Sequence, residues 1–299
     1  MMERKTQVIH TDEGFALHCE VSGGGPRILL CLHGGPGGSG GDYLAGLHRL
    51  ATEERKVITF DQLGTGGSDV PPAGYQWSIE RAARDVENIR AELGVDSVDL
   101  LGHSWGGMLA LEYTLRYPAR VGRLILSNTV ASTAIMETEF VRQLYMACTA
   151  ADVDAALLAD RENRHGDATF LKVALAWLTA YSANGNEVEG AAQLEEALDL
   201  GPAGRGLWGS TLWTSNAALK GWDAGPRLGE IRSPTLVVHG GRDMSTREIN
   251  AELSQGIPQS EWITMNDSGH GMLDDENANV YLSILHAFLQ AWPIHEEIR

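Results

Sequence analysis

Four short, almost unbroken apolar runs punctuate the first part of this chain, at Arg27–Leu32, 56–60, 97–101 and 123–127. Runs of this length, rich in Val, Ile and Leu, suit strands covered on both faces, as in parallel sheets. Ahead of them, 7–10 and 16–21 read as an antiparallel pair around a turn at Asp12-Glu13-Gly14, and Gly23-Gly24-Gly25-Pro26 is a second turn. Between the runs, apolar residues recur with helical spacing over 43–51, 78–93 and 104–117. From 132 to 225 the alternation stops, and the periodic segments 137–148, 170–181 and 191–200 all read as helix. Strand runs return at 234–238 and 261–265, and an apolar helix covers 278–292. The pattern predicts an α/β fold, a mostly parallel twisted sheet with helices on both faces, formed by 1–131 and 226–299. The helical insert, 132–225, is expected to cap the carboxyl edge of the strands, where open α/β sheets bind ligands.

Composition narrows the partners. The 299 residues are 43% hydrophobic, enough for a sizeable core. No uncharged apolar stretch reaches the 18 or so residues of a membrane span. Met1-Met2-Glu3-Arg4-Lys5 leads into polar residues, with no apolar segment of a secretion signal. Cys19, Cys31 and Cys148 are odd in number, widely spaced and form no CxxC pair, so neither a disulfide framework nor a metal site is expected. The expected compartment is the reducing cytoplasm. The net charge of −17 disfavours nucleic acid and anionic membranes, because phosphate binding needs clustered Lys and Arg. A small molecule or short peptide is the expected partner, and no cofactor is called for. The sequence does not specify an oligomeric state.

Glycine, 35 residues in all, gathers in the loops that follow the apolar runs. The strongest signal is Gly102-His103-Ser104-Trp105-Gly106-Gly107, a G-x-S-x-G turn with a strand before it and a helix after it. Such a turn throws a serine hydroxyl clear of the sheet, and side chains at Gly102 or Gly106 would strike the neighbouring strand and helix. The helix start below Ser104 favours negative charge developing there. A nucleophilic serine needs a base and the base an orienting acid, in the chain order Ser, acid, His for this kind of turn. His270, in the loop Asp267-Ser268-Gly269-His270-Gly271-Met272, is the expected base; His165, His239, His286 and His295 are placed less well. Asp243, beyond the strand run 234–238, is the expected acid, with Asp267 as its competitor. The loop His33-Gly34-Gly35-Pro36-Gly37-Gly38 can supply one oxyanion N–H, from Gly35 or alternatively Gly34, and Trp105 the other. His33 is read as holding loop backbone rather than as a catalytic group.

These motifs, together with Asp61-Gln62-Leu63-Gly64-Thr65-Gly66-Gly67-Ser68, resemble the α/β-hydrolase fold and, within it, the proline iminopeptidase-like serine peptidases. The resemblance spans the chain apart from the insert. It implies a helical cap, the triad Ser104, Asp243 and His270, an oxyanion hole from Gly35 and Trp105, no metal, and release of an N-terminal residue, often proline, from short peptides. The chain departs from the family pattern at several places. Leu63 and Gly67 stand where arginine is common. Met244 stands where an acid that anchors the substrate amine usually follows the triad aspartate, and Leu212 is the nearest match to a second such acid.

The insert carries 13 acidic and 6 Lys/Arg residues, readable as an attraction for amines or as solvated helix faces. Trp208 and Trp213, in a glycine-broken stretch, are candidates for an apolar pocket wall, with core packing as the alternative; Trp177 reads as cap packing. Together with Gly34, Met244 and Leu212, they make up the expected substrate-contacting set. An esterase or amidase for an apolar acyl group is the alternative reading, using the same triad. A non-catalytic receptor on this scaffold would not need an intact triad, and an epoxide hydrolase or dehalogenase would need aspartate in place of Ser104.

Overall fold

A computed structural model describes residues 3–38, 43–181, 185–199, 201–273 and 276–291. Eight strands form one sheet: β1 (Arg4–His10), β2 (Ala16–Gly23), β3 (Arg27–Leu32), β4 (Arg55–Phe60), β5 (Val98–His103), β6 (Val121–Ser127), β7 (Thr235–Gly240) and β8 (Ser260–Met265). Their order is β1-β2-β4-β3-β5-β6-β7-β8. β1 with β2 and β2 with β4 are antiparallel, and the rest of the sheet is parallel. Every residue of β5 and β7 is buried, which is why the central strands read as continuous apolar runs. The edge strand β1 is mostly exposed and correspondingly polar.

Helices cover both faces. α1 (Ile79–Glu92) and α2 (Trp105–Arg116) pack on one, with α8 (Arg247–Gly256) further along the same side. α1 starts where the Ser78 hydroxyl accepts the Arg81 N–H at 3.1 Å, and it buries the stripe Ile79, Ala83, Val86 and Ile89. The other face is closed by α9 (Ala278–Ala291) and by residues Tyr43–Leu50, which form a 3₁₀ helix rather than the α-helix their spacing suggests. The predicted last residue of α9, Trp292, lies outside the described residues.

Between β6 and β7 come five helices: α3 (Thr133–Ala147), α4 (Ala150–Arg161), α5 (Ala168–Tyr181), α6 (Glu187–Leu198) and α7 (Gly201–Leu207). α3, α5 and α6 match the helical segments expected at 137–148, 170–181 and 191–200, whereas α4 and the short α7 are not among the expected helices. The insert has its own core, with Phe140, Leu144, Val153, Phe170, Trp177 and Trp213 at its centre. Its two ends meet at the base: Ser132 bridges Asp223, Thr133 N–H donates to Trp222 O at 3.0 Å, and Ala224 N–H donates to Ala131 O at 2.8 Å.

Candidate active site

Ser104 is the single residue between β5 and α2. Its φ of 55° and ψ of −124° lie in a region that L residues rarely occupy. Its hydroxyl makes no capping hydrogen bond, so the serine is not simply a helix cap. The turn is held from both sides: Ser104 N–H donates to Ser127 O at 3.0 Å, and Thr129 Oγ1 donates to Ser104 O at 2.7 Å. A Cβ on Gly102 would sit 2.2 Å from the Gly106 carbonyl oxygen, and one on Gly106 would sit 2.1 Å from that of Leu32. Only glycine permits this closeness of strand, turn and helix, as the motif leads one to expect.

His270 lies in the loop between β8 and α9. Its Nδ1 donates to Asp243 Oδ1 at 2.7 Å. Asp243 sits just beyond β7 with a fully buried carboxylate, and its Oδ2 has no hydrogen-bond partner among the described residues. Burial alone would lower the His270 pKa, but the adjacent carboxylate outweighs it and raises the pKa above the ordinary imidazole value. Asp267, the competing acid, points to solvent and pairs loosely with Arg242 at 3.4 Å, its side chain 75% exposed. His239 is buried at the end of β7 and held by Gly240 O and Thr264 Oγ1, and His165 pairs with Asp160 inside the cap.

Three neighbours lock these loops in place. Ser245 N–H donates to Asp243 Oδ1 at 3.1 Å, while its hydroxyl donates to Thr129 O at 2.7 Å. Asn128 donates to the His270 carbonyl at 2.6 Å and accepts the Gly240 N–H at 3.0 Å. His103 Nε2 lies 3.0 Å from the same His270 carbonyl. Nothing in the sequence marks Asn128 or the His103 side chain for this role. Asn128 directly follows β6 in the left-handed region, with a φ of 50°, and its only sequence signal is a polar residue after an apolar run.

Ser104 and His270 face one solvent-open cavity, whose empty space, solvent included, is about 410 Å³, together with Gly35, Pro36, Trp105 and Met244. Its remaining wall is mainly apolar, from Met108, Val130, Met136, Phe140, Trp208 and Leu219. Among the described residues no Asp or Glu lines it. Gly34 packs under the nucleophile, where a Cβ would lie 3.2 Å from the Ser104 Cβ. Of the expected substrate-contacting residues, Met244 and Trp208 reach the cavity. Trp213 does not: it is fully buried in the cap core, against Phe170 and Trp177. Leu212 packs on that same core, and its N–H donates to the buried Asp160 carboxylate at 2.8 Å, so it too is turned to cap structure.

Residues 27–277 match the family described as alpha/beta hydrolase fold. A proline iminopeptidase of Clostridioides difficile is 30% identical over 93% of this chain and 96% of its own. That of Heyndrickxia coagulans is 32% identical over 91% of this chain and 93% of its own. The crystal structure of the Mycobacterium smegmatis proline iminopeptidase shares the fold, with a TM-score of 0.80 at 21% identity, covering 96% of this chain and 98% of the other. Among the described residues no helix is long and apolar enough to cross a membrane. With its sheet order, its helical insert and its relatives all agreeing, the chain is a hydrolase that belongs to the alpha/beta hydrolase fold family, in its proline iminopeptidase-like branch.

Proposed function

We propose that the protein is a serine hydrolase working through an acyl-enzyme on Ser104, releasing a small N-terminal aminoacyl group from a peptide, amide or ester. The observation that carries the mechanism is the 2.7 Å bond from His270 to a buried Asp243, on the wall of the cavity that Ser104 also faces. With Nδ1–H committed to the carboxylate, Nε2 is left as the base. Ser104 Oγ attacks the substrate carbonyl and its proton passes to His270 Nε2. The oxyanion is held by the N–H groups of Gly35 and Trp105. The bond to the leaving group breaks as that group takes the proton, leaving an acyl ester on Ser104. Water, deprotonated by the same nitrogen, then attacks the ester and frees the acid and Ser104. The aminoacyl part of the proposal draws on the proline iminopeptidase relatives.

One observation favours a second reading. Among the described residues the cavity wall offers no carboxylate to a substrate amine, and Met244 directly follows Asp243. An apolar acyl ester or amide without a free amine fits such a wall, because an unpaired ammonium buried there would cost several kcal/mol. Turnover of a proline arylamide measured beside a propionyl ester separates the two. Hydrolysis of the arylamide, lost in Ser104→Ala, supports the aminopeptidase; hydrolysis of the ester alone overturns it in favour of the esterase. Failure of a fluorophosphonate to label the wild-type protein would overturn the nucleophile itself.

A further inference from the structure

Behind the proposed oxyanion hole lies a chain of buried hydrogen bonds that the mechanism does not use. The indole Nε1–H of Trp105 donates to Gln62 Oε1 at 2.7 Å. The other half of the same amide, Gln62 Nε2–H, donates to His33 O at 3.0 Å. Gln62 also donates its backbone N–H to His33 Nε2 at 3.0 Å. A backbone N–H can only donate, so His33 Nε2 must be the unprotonated nitrogen and Nδ1 carries the proton. Nδ1–H then donates to Gly34 O at 2.8 Å. Burial favours this neutral imidazole by lowering the His33 pKa. The three side chains are 8% exposed or less.

The far end of this chain reaches the oxyanion hole by covalent geometry. Gly34 O and Gly35 N–H belong to one planar trans peptide unit and point in opposite directions. Holding the Gly34 oxygen against His33 therefore aims the Gly35 N–H the other way. At the near end, Trp105 is the residue whose own backbone N–H is the second donor, and its indole is tied to Gln62. We infer that Gln62 is a positioning residue: one side-chain amide, bridging the turn of the nucleophile and the glycine loop, sets the spacing and direction of both oxyanion donors. Gln62 does not touch the substrate; it acts through Trp105 and His33. Both functions of an amide are required, since one end must accept and the other donate. The inference rests on the proposed roles of Ser104, Gly35 and Trp105.

The test uses the full chain and whichever of the two substrates above the wild type hydrolyses. Active sites are counted by fluorophosphonate titration, so that rates refer to folded enzyme. Gln62→Met keeps the length and removes both bonds. It is expected to lower kcat about 10- to 100-fold, with KM held within about threefold, because the loss falls on the transition state. Affinity for a boronic acid, which forms a tetrahedral adduct on serine, should fall in parallel with kcat/KM. Gln62→Glu keeps the acceptor for the indole but sets an oxygen against His33 O, and should lose at least as much. Trp105→Phe removes the indole donor and keeps the backbone N–H; combined with Gln62→Met it should cost little beyond Gln62→Met alone. If Gln62→Met does not fold, Gln62→Glu and Trp105→Phe carry the same kcat and boronate readouts. A kcat per titrated site within about twofold of wild type, a loss confined to KM, or fully additive losses would overturn the inference. Activity retained in Ser104→Ala would instead overturn the underlying mechanism, and is read separately.

Discussion

His270 donates to the buried carboxylate of Asp243, and through that bond proton chemistry and folding become linked with opposite signs. As the proposed base, His270 works only when neutral, so kcat/KM should rise with pH through its folded-state pKa. That pKa is raised above the ordinary 6.5, although burial opposes it, because the Asp243 carboxylate favours the imidazolium. The acid limb is therefore expected above pH 6.5, and a limb at or below that value would contradict the pairing. Stability runs the other way. A raised histidine pKa contributes stability that is fully present below the unfolded value and is lost as pH rises through the folded one. Thermal melts of wild type against Asp243→Asn should show the wild-type advantage shrinking over the same window in which activity appears. Asp243→Asn should also cut kcat by about 10⁴-fold, since the amide no longer holds the imidazole in the working tautomer.

The β5–Ser104–α2 unit stores strain at the scale of an element. A non-glycine residue at φ 55° and ψ −124° costs about 1–3 kcal/mol, and Ser127, Thr129 and the packed glycines hold it there. Ser104→Ala keeps the Cβ and the strain; Ser104→Gly releases it, less the larger backbone entropy that glycine loses on folding. Both variants should be inactive, but Ser104→Gly is expected to be more stable than Ser104→Ala by about 1 kcal/mol in denaturant unfolding. Equal stability would show the turn to be relaxed. The neighbouring glycines work by space rather than by strain. Gly106→Ala would place a methyl 2.1 Å from the Leu32 oxygen, a contact that must be relieved by moving β3 or α2.

At the scale of the whole molecule, the cavity is lined jointly by the helical insert, through Met136, Phe140, Trp208 and Leu219, and by loops of the sheet domain. Trp208 and Trp213 are five positions apart in one irregular stretch, yet one faces the cavity and the other the cap interior. Trp208→Ala should widen the cavity and shift the preference among acyl esters toward longer chains, measured as the ratio of kcat/KM for hexanoyl and propionyl esters. Trp213→Ala should leave that ratio in place and destabilise the protein by about 3–5 kcal/mol, the usual cost of truncating a buried aromatic. The opposite pattern would place Trp213 on the substrate. The net charge of −17 acts over the same scale. An ester carrying a carboxylate should be hydrolysed less well than its neutral analogue at low ionic strength, and the gap should narrow as salt screens the field.

Much of this was legible in the sequence because the signals are local. Fully buried strands leave apolar runs, the crowded turn around Ser104 leaves glycines at fixed offsets, and a histidine in a glycine-flanked loop before the last helix stands apart from those within helices and strands. These features determine the α/β sheet, the helical insert and the residues expected to do chemistry. The short helix α7 carries three glycines and a proline in seven residues and gives no usable period. What separates Asp243 from Asp267 is tertiary: the fold buries one against His270 and turns the other to solvent. So is the cavity wall: Met108, Val130, Met136, Phe140 and Leu219 look like core residues in the sequence, and they line a site only because the cap and the sheet domain leave a gap where they meet. Packing between distant segments, such as the Gln62 amide seated on the Trp105 indole, leaves no periodic trace, because periodicity records which way a side chain faces and not what it meets.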